Sequence, residues 1–266
     1  MKSLQATLRP FAFACLFSFA AAASWAATAT ETFERTIPLP RGRAIVIQNL
    51  NGGVAVAGWE QDQVRLVAVK TARAATEGRA LAYLREVQVR VEDKGGKLVI
   101  TTRTPGEDGG LRGWLACTGV DGHVEYELTV PREALVAATT VNGNVEVAGL
   151  RAPVRAASTN GNVSVVEVGG AVQASSVNGN IHVDLRRADP RSTMDLSTVN
   201  GSIVLYVPPE LRAYVDARTT NGSVGSDLPL LVAGTRSRSR LVGSLNGGST
   251  KLLLRTTNGS IWLRQP

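Results

Sequence analysis

Eight of the twelve asparagines in this chain are followed directly by glycine; chance would give about one such pair. Seven pairs, at Asn142, Asn160, Asn178, Asn200, Asn221, Asn246 and Asn258, recur at intervals of 18, 18, 22, 21, 25 and 12 residues. Two positions before each Asn stands a hydroxyl: Thr140, Ser158, Ser176, Thr198, Thr219, Ser244 or Thr256. Three positions after it come Val145, Val163, Ile181, Ile203, Val224 and Ile261 in six of the seven. Five positions after it come Val147, Val165, Val183, Leu205 and Leu263. The residue between those two varies freely (Glu146, Ser164, His182, Val204, Gly225, Trp262). That is the two-residue period of a half-buried strand. An eighth copy, at Asn51-Gly52, opens the domain. The copy at Asn246 puts Ser249 and Lys251 at the apolar positions, with Leu252 and Leu254 one step later. A bulge or slipped register is expected there.

A second turn signal falls between successive pairs, as Ala148-Gly149, Gly169-Gly170, Asp189-Pro190, Pro208-Pro209 and Leu228-Pro229. Each repeat therefore reads as strand, corner, strand, corner. Two architectures satisfy this: a chain of antiparallel hairpins closed by Asn-Gly turns, or a β-solenoid whose coils stack at ~4.8 Å. Like residues at like positions favour the solenoid. There the Ser/Thr and Asn columns could form side-chain ladders, and Asn and Gly would supply left-handed corners. Disorder is excluded by 44% hydrophobic content with 19% charge, and a helical bundle by the density of turn signals.

Residues 1–26 read as a secretory signal peptide. Lys2 and Arg9 are basic, Phe11 to Ala23 is apolar except for Ser18, and Ser24-Trp25-Ala26 and Ala27-Thr28-Ala29 offer small-residue cleavage sites. Cys15 sits too early in the apolar run for a lipid-attachment motif. No later run reaches the ~18 apolar residues of a membrane-spanning helix. Signal removal leaves Cys117 alone, so no internal disulfide is expected. Residues 27–141 are expected to form a β-rich part with one helix over Thr71 to Glu86. Residues 142–266 are expected to form the repeat solenoid, continuous with it. Within the first part, Arg43 to Val56, Gln63 to Lys70, Val87 to Val91, Lys97 to Thr102 and His123 to Val130 read as strands, and 104–116 as a loop.

Gly42-Arg-Ala-Ile-Val-Ile-Gln-Asn-Leu-Asn-Gly-Gly-Val-Ala-Val-Ala-Gly-Trp59, followed by Val64-Arg-Leu-Val-Ala-Val-Lys70, resembles the opening of a bacterial family of β-strand-repeat, adhesin-like proteins of unknown function (domain of unknown function 4097). The later Ser/Thr-x-Asn-Gly-Asn/Ser-Val/Ile-x-Val copies resemble its body. The family is similar in turn to the head domains of auto-transporter adhesins, and the resemblance covers nearly all of residues 32–266. It implies an all-β, right-handed parallel β-solenoid in an exported bacterial protein, periplasmic or at the cell surface. It brings no catalytic residues.

Little else in the chain points to chemistry. Cys117, Asp121, His123 and Glu125 read as a solvent-facing polar stripe without recognised zinc spacing. His182 reads as a solvated strand residue. Gly52-Gly53 and Gly247-Gly248 lack the Lys-Ser/Thr and helix of a phosphate loop. A glycan-cleaving site needs gathered carboxylates, and the free strand position carries one acid, Glu146, across seven copies. No catalytic, cofactor or metal residues are assigned. The leading reading is a non-enzymatic envelope protein offering a surface for binding or assembly; the alternative is a carbohydrate-active enzyme on the same scaffold. Charge is uneven, with thirteen basic and eight acidic residues over 142–266 and no acid after Asp227. Arg236, Arg238 and Arg240 alternate, so on one strand their guanidinium groups would share a face and suit an anionic cell-envelope polymer or glycan. The plainer reading of this basic end is a solvated surface. Nucleic acid is not an expected partner, since export and the lack of a basic-aromatic sheet motif argue against it.

Overall fold

The computed structural model describes residues 27–105, 119–187, 192–231 and 236–266; the expected signal peptide and Cys117 lie outside them. The first part holds β1 (Ala27–Pro38), β2 (Ala44–Gln48), β3 (Val54–Trp59), β4 (Gln63–Ala74), α1 (Glu77–Glu86), β5 (Gln88–Lys94), β6 (Lys97–Arg103) and β7 (Val120–Pro131). The repeats supply β8 (Leu135–Asn142), β9 (Val145–Ala148), β10 (Val154–Asn160), β11 (Val163–Val168), β12 (Val172–Asn178), β13 (Ile181–Leu185), β14 (Thr193–Asn200), β15 (Ile203–Tyr206), β16 (Ala213–Asn221) and β17 (Val224–Ser226). The chain ends with β18 (Arg236–Ser237), β19 (Arg240–Leu245), β20 (Thr250–Asn258) and β21 (Ile261–Arg264).

These strands form two long, mostly parallel sheets. One has ten strands in the order β1-β4-β7-β3-β9-β11-β13-β15-β21-β17, the other eleven in the order β18-β19-β16-β20-β14-β12-β10-β8-β2-β6-β5. Each repeat runs up one sheet, turns at its Asn-Gly corner and crosses to the other. Successive repeats pair in parallel, Asn160 with Asn142 and Asn178, and Val163 with Val145 and Ile181. That pairing excludes the hairpin chain. The expected inward residues are buried, Ile181 at 1% and Ile203 at 0% exposure, while His182 between the strand's apolar residues is exposed.

The corner chemistry explains the repeat. Each Asn side chain donates to the Asn of the next coil in one unbroken ladder: Asn142 to Asn51, Asn160 to Asn142, Asn178 to Asn160, Asn200 to Asn178, Asn258 to Asn200 and Asn221 to Asn258, all at 2.7–2.8 Å. Inside it, the buried hydroxyls of Thr140, Ser158, Ser176, Thr198, Thr256 and Thr219 each donate to the corner glycine carbonyl of a neighbouring coil, at 2.8–2.9 Å. They give the half-buried corner carbonyls a partner inside the protein. Glycine is required by close approach: a Cβ on Gly161 would lie 2.0 Å from the Gly143 carbonyl oxygen. The ladder asparagines are not left-handed, contrary to expectation. Among described residues the only non-glycine residues with positive φ are Glu167 and Asn246.

The coils are not stacked in sequence order. β20 and β21 insert between the coil of β14 and β15 and the coil of β16 and β17. At the other end β2 and β3 insert between the coil of β6 and β7 and the coil of β8 and β9. Antiparallel strands close the ends: β5 on β6, β4 and β1 on β7, and β19 and β18 on β16.

Several expected elements change. Arg43 to Val56 is two strands on different sheets, because Asn51-Gly52 makes the same corner as the later copies. The helix begins at Glu77, behind an N-cap Thr76 that accepts from the Arg79 N–H. Thr71 to Ala74 keep the in-out alternation of β4, burying Ala72 and Ala74. The copy at Asn246 is neither bulge nor slipped register. Asn246 and Gly247 turn the chain from β19 toward β20, and the Asn246 amide donates to the Pro209 and Leu211 carbonyls instead of joining the ladder.

Candidate functional site

The outer face of the eleven-stranded sheet carries a row of arginines at the end where β20, β16 and β19 lie side by side. Arg218 on β16 is in register with Arg255 on one side and Arg240 on the other. Adjacent strands lie ~4.8 Å apart, and like charges opposed at that spacing repel. Two carboxylates one step along the strands offset part of this. Arg218 forks onto Asp216, Nε to Oδ1 at 2.7 Å and Nη2 to Oδ2 at 2.5 Å, and Arg255 approaches Asp195 at 3.9 Å. The Arg218 hydrogen bond, reinforced by the charges of Arg218, Arg240 and Arg255, holds the Asp216 carboxyl below its ordinary pKa, against the opposing effect of burial. Asp216 in turn raises Arg218. The Arg240 Nε is enclosed and has no hydrogen-bond partner. Lys251 is exposed on β20. Three guanidinium groups thus face two carboxylates, leaving a positive surplus on an open sheet face.

Of the three arginines singled out in sequence, only Arg240 joins this row. Residues 236–240 are not one strand, because β18 ends at Ser237 and residues 238–239 turn the chain into β19. Ser237 pairs with Arg240. The turn caps the solenoid: the Arg238 carbonyl accepts from Val224 N–H at 2.8 Å and the Ser239 carbonyl from Thr219 N–H at 2.9 Å. Backbone groups at the end of the stack need partners, and that need overrides the alternation. Sequence reasoning counted Arg255 only as part of the basic end and did not bring Arg218 or Arg255 beside Arg240. The signal was their common place three residues before Asn221 and Asn258, an outward position once the hydroxyl one residue later points in.

The outer face of the ten-stranded sheet differs. Gly53, Ala55 and Ala57 floor a shallow groove of about 440 Å³ at its Gly53–Ala55 end, walled there by Glu125 and Glu127 of β7 and by Glu146 of β9. Glu127 and Glu146 both lie in register with Ala55, so the free position carries two acids where the repeats alone showed one. Glu125 accepts from the Gly53 N–H at 2.8 Å. Asp121 and His123 sit further along β7, opposite Arg73 and Thr71. No group of three or more His, Cys, Asp or Glu among the described residues could hold a metal ion. Toward the other end, His182 and Tyr206 bring their rings to 5.5 Å, and the Arg264 guanidinium lies 5.6 Å from the Trp262 ring.

Residues 134–264 match the profile of a family described as Toastrack, the domain of unknown function 4097. No curated protein matches the chain. Among solved structures it is similar to a "putative cell adhesion protein" from Clostridium sporogenes, at 11% identity over 89% of this chain and 100% of that one, with a TM-score of 0.44. It is also similar to a "putative adhesin" from Bacteroides fragilis, at 13% identity over 88% and 97% of the two chains, with a TM-score of 0.36. A "putative lipid binding protein" from Parabacteroides distasonis matches at 8% identity over 88% and 96%, with a TM-score of 0.24.

Proposed function

We propose that this chain, whose residues 134–264 match the Toastrack family model, is a non-enzymatic, exported envelope protein that binds an anionic polymer on the arginine end of its solenoid. One observation carries the reading: Arg255, Arg218 and Arg240 stand in register on three adjacent strands, and among the described residues Asp216 and Asp195 are the acids paired with them. Arginine's planar fork suits carboxylate, sulfate or phosphate. A polymer laid across the strands would relieve the repulsion among the three groups. In this reading residues 1–26 are cleaved on export, the coils wind right-handed, and the protein works in the periplasm or at the cell surface. No described helix is long and apolar enough to cross a membrane.

Retention on heparin and lipopolysaccharide columns tests the binding. Exposed ion pairs are individually weak and screened within ~8 Å at physiological salt, so the protein elutes at modest salt. Arg218→Ser/Arg255→Ser should elute markedly earlier, while Arg238→Ser at the turn should change little. Equal elution of all three proteins sinks the proposal.

A second reading, a glycan-cleaving enzyme, is favoured by Glu127 and Glu146 flanking Ala55. They are two strands apart, about 9–10 Å between backbones, a span over which two glutamate side chains can bring their carboxyl groups to the ~6.5–9.5 Å used by inverting glycosidases. Release of reducing sugar from envelope polysaccharide by the wild type, abolished by Glu146→Gln, would establish it.

A further inference from the structure

We propose that β1 is a self-association edge, where a second copy of this chain adds antiparallel about a two-fold axis through Phe33. β1 is the outermost strand of the ten-stranded sheet. One edge pairs with β4 over all twelve residues, and no other described strand pairs with the opposite edge. Such an edge leaves alternate backbone N–H and C=O groups without ladder partners and is a template for another strand. The other sheet ends are blunter. β17 and β18 have three and two residues, and β5 ends in Glu92, Asp93 and Lys94.

The β1 sequence selects the occupant. Ala27-Thr-Ala-Thr-Glu-Thr-Phe-Glu-Arg-Thr-Ile-Pro38 is complementary to itself about Phe33. With Phe33 opposite Phe33, Glu31 meets Arg35 twice, Thr30 meets Thr36 twice, and Ala29 meets Ile37 twice. Opposed side chains in an antiparallel pair lie about 4.5–5.5 Å apart at Cβ, close enough for the ion pairs and the aromatic contact to form. Both charges are available. Arg35 is exposed and has no ion pair among the described residues. Glu31 gives Oε1 to Lys70 at 2.8 Å while its side chain stays half exposed, and a carboxylate accepts more than one such bond. Phe33 and Ile37 are only partly buried against the core.

Other registers are penalised. Centring the axis on Glu31 or on Arg35 sets like charges opposite each other. Centring it on Thr32 sets Glu31 against Phe33, and centring it on Glu34 sets Arg35 against Phe33. The charges on this edge therefore discourage indiscriminate pairing and, among the registers centred on residues 31 to 35, favour one closed, isologous dimer. An unrelated strand would not supply the reciprocal pattern.

The test uses the chain beginning at Ala27. Analytical ultracentrifugation should show a concentration-dependent dimer, and Arg35→Glu should weaken it by at least about tenfold by opposing Glu31 with a second acid. A variant with Cys117→Ser and Phe33→Cys should form a disulfide-linked dimer under mild oxidation. Thr30→Cys in the same background should not, because two copies of residue 30 lie far apart in this register. A monomer at every concentration overturns the proposal. So does undiminished association of Arg35→Glu, or crosslinking at residue 30 as efficient as at residue 33.

Discussion

Asn258 donates its side-chain amide to Asn200 at 2.7 Å across 58 residues of sequence. The bond exists because the last repeat occupies a place in the stack that its sequence position does not announce. Beside it the Thr256 hydroxyl reaches the Gly201 carbonyl at 2.8 Å, so the inserted coil uses the same corner as every other.

The corner makes a sharp stability prediction. Gly161→Ala places a methyl carbon 2.0 Å from the Gly143 oxygen, and both groups belong to packed backbone. The coils must part locally, at a cost of more than about 2 kcal/mol. Asn160→Ala removes two exposed ladder bonds and should cost about 1 kcal/mol. Urea melts of the two variants give the ranking. A larger loss for the asparagine variant would mean that the ladder, not the close approach, fixes the corner.

Ile181→Asp or Ile203→Asp should cost several kcal/mol, since each buries an unpaired charge in place of a side chain with no more than 1% exposure. His182→Ser should stay within about 0.5 kcal/mol, apart from what the Tyr206 ring contact contributes. Similar denaturation midpoints for the variants at 181 and 182 would contradict the inside-outside assignment.

Much of the inside-outside pattern was legible because alternation and repetition are local. Val145, Val147, Ile181 and Val183 could be placed inward from spacing alone. The neighbours of β20 could not, since nothing local says which coil a strand joins. The same limit hid the arginine row. Arg236 to Arg240 looked like a strand on alternation, but the open end of the sheet needed a turn whose carbonyls serve Thr219 and Val224. Glu127 was likewise missed as a partner of Glu146, because β7 enters the stack through β3 and not through the repeat.

Asp216 gives the arginine row a pH signature. Its folded pKa lies below its unfolded one, near about 4, because Arg218 hydrogen-bonds its charged form. A depressed carboxylate contributes stability that is fully present above the unfolded pKa and lost as pH falls through the folded one. Asp216→Asn should therefore be less stable than wild type at neutral pH, with the difference shrinking below about pH 4. Thermal melts from pH 7 to pH 2.5 measure it; a constant difference across that range would remove Asp216 as the cause.

The proposed export makes a mass prediction. Protein recovered from a periplasmic extract should begin at Ala27 or Thr30, after cleavage behind Ala26 or Ala29. Intact mass spectrometry distinguishes the two, and a membrane-bound species retaining Met1 would refute cleavage.

The insertion of β20 and β21 ahead of β16 and β17 also sets a timetable. A solenoid wound strictly in order can add each coil as it leaves the ribosome or the export channel. Here the 213–226 coil meets the body of the stack only when residues 250–264 arrive, and β2 and β3 likewise wait for β6 and β7. The N-terminal end can close once residue 131 has emerged, while the C-terminal end stays open until residues 250–264 are made. The 250–264 coil is therefore the piece that docks the 213–226 coil onto the rest of the stack.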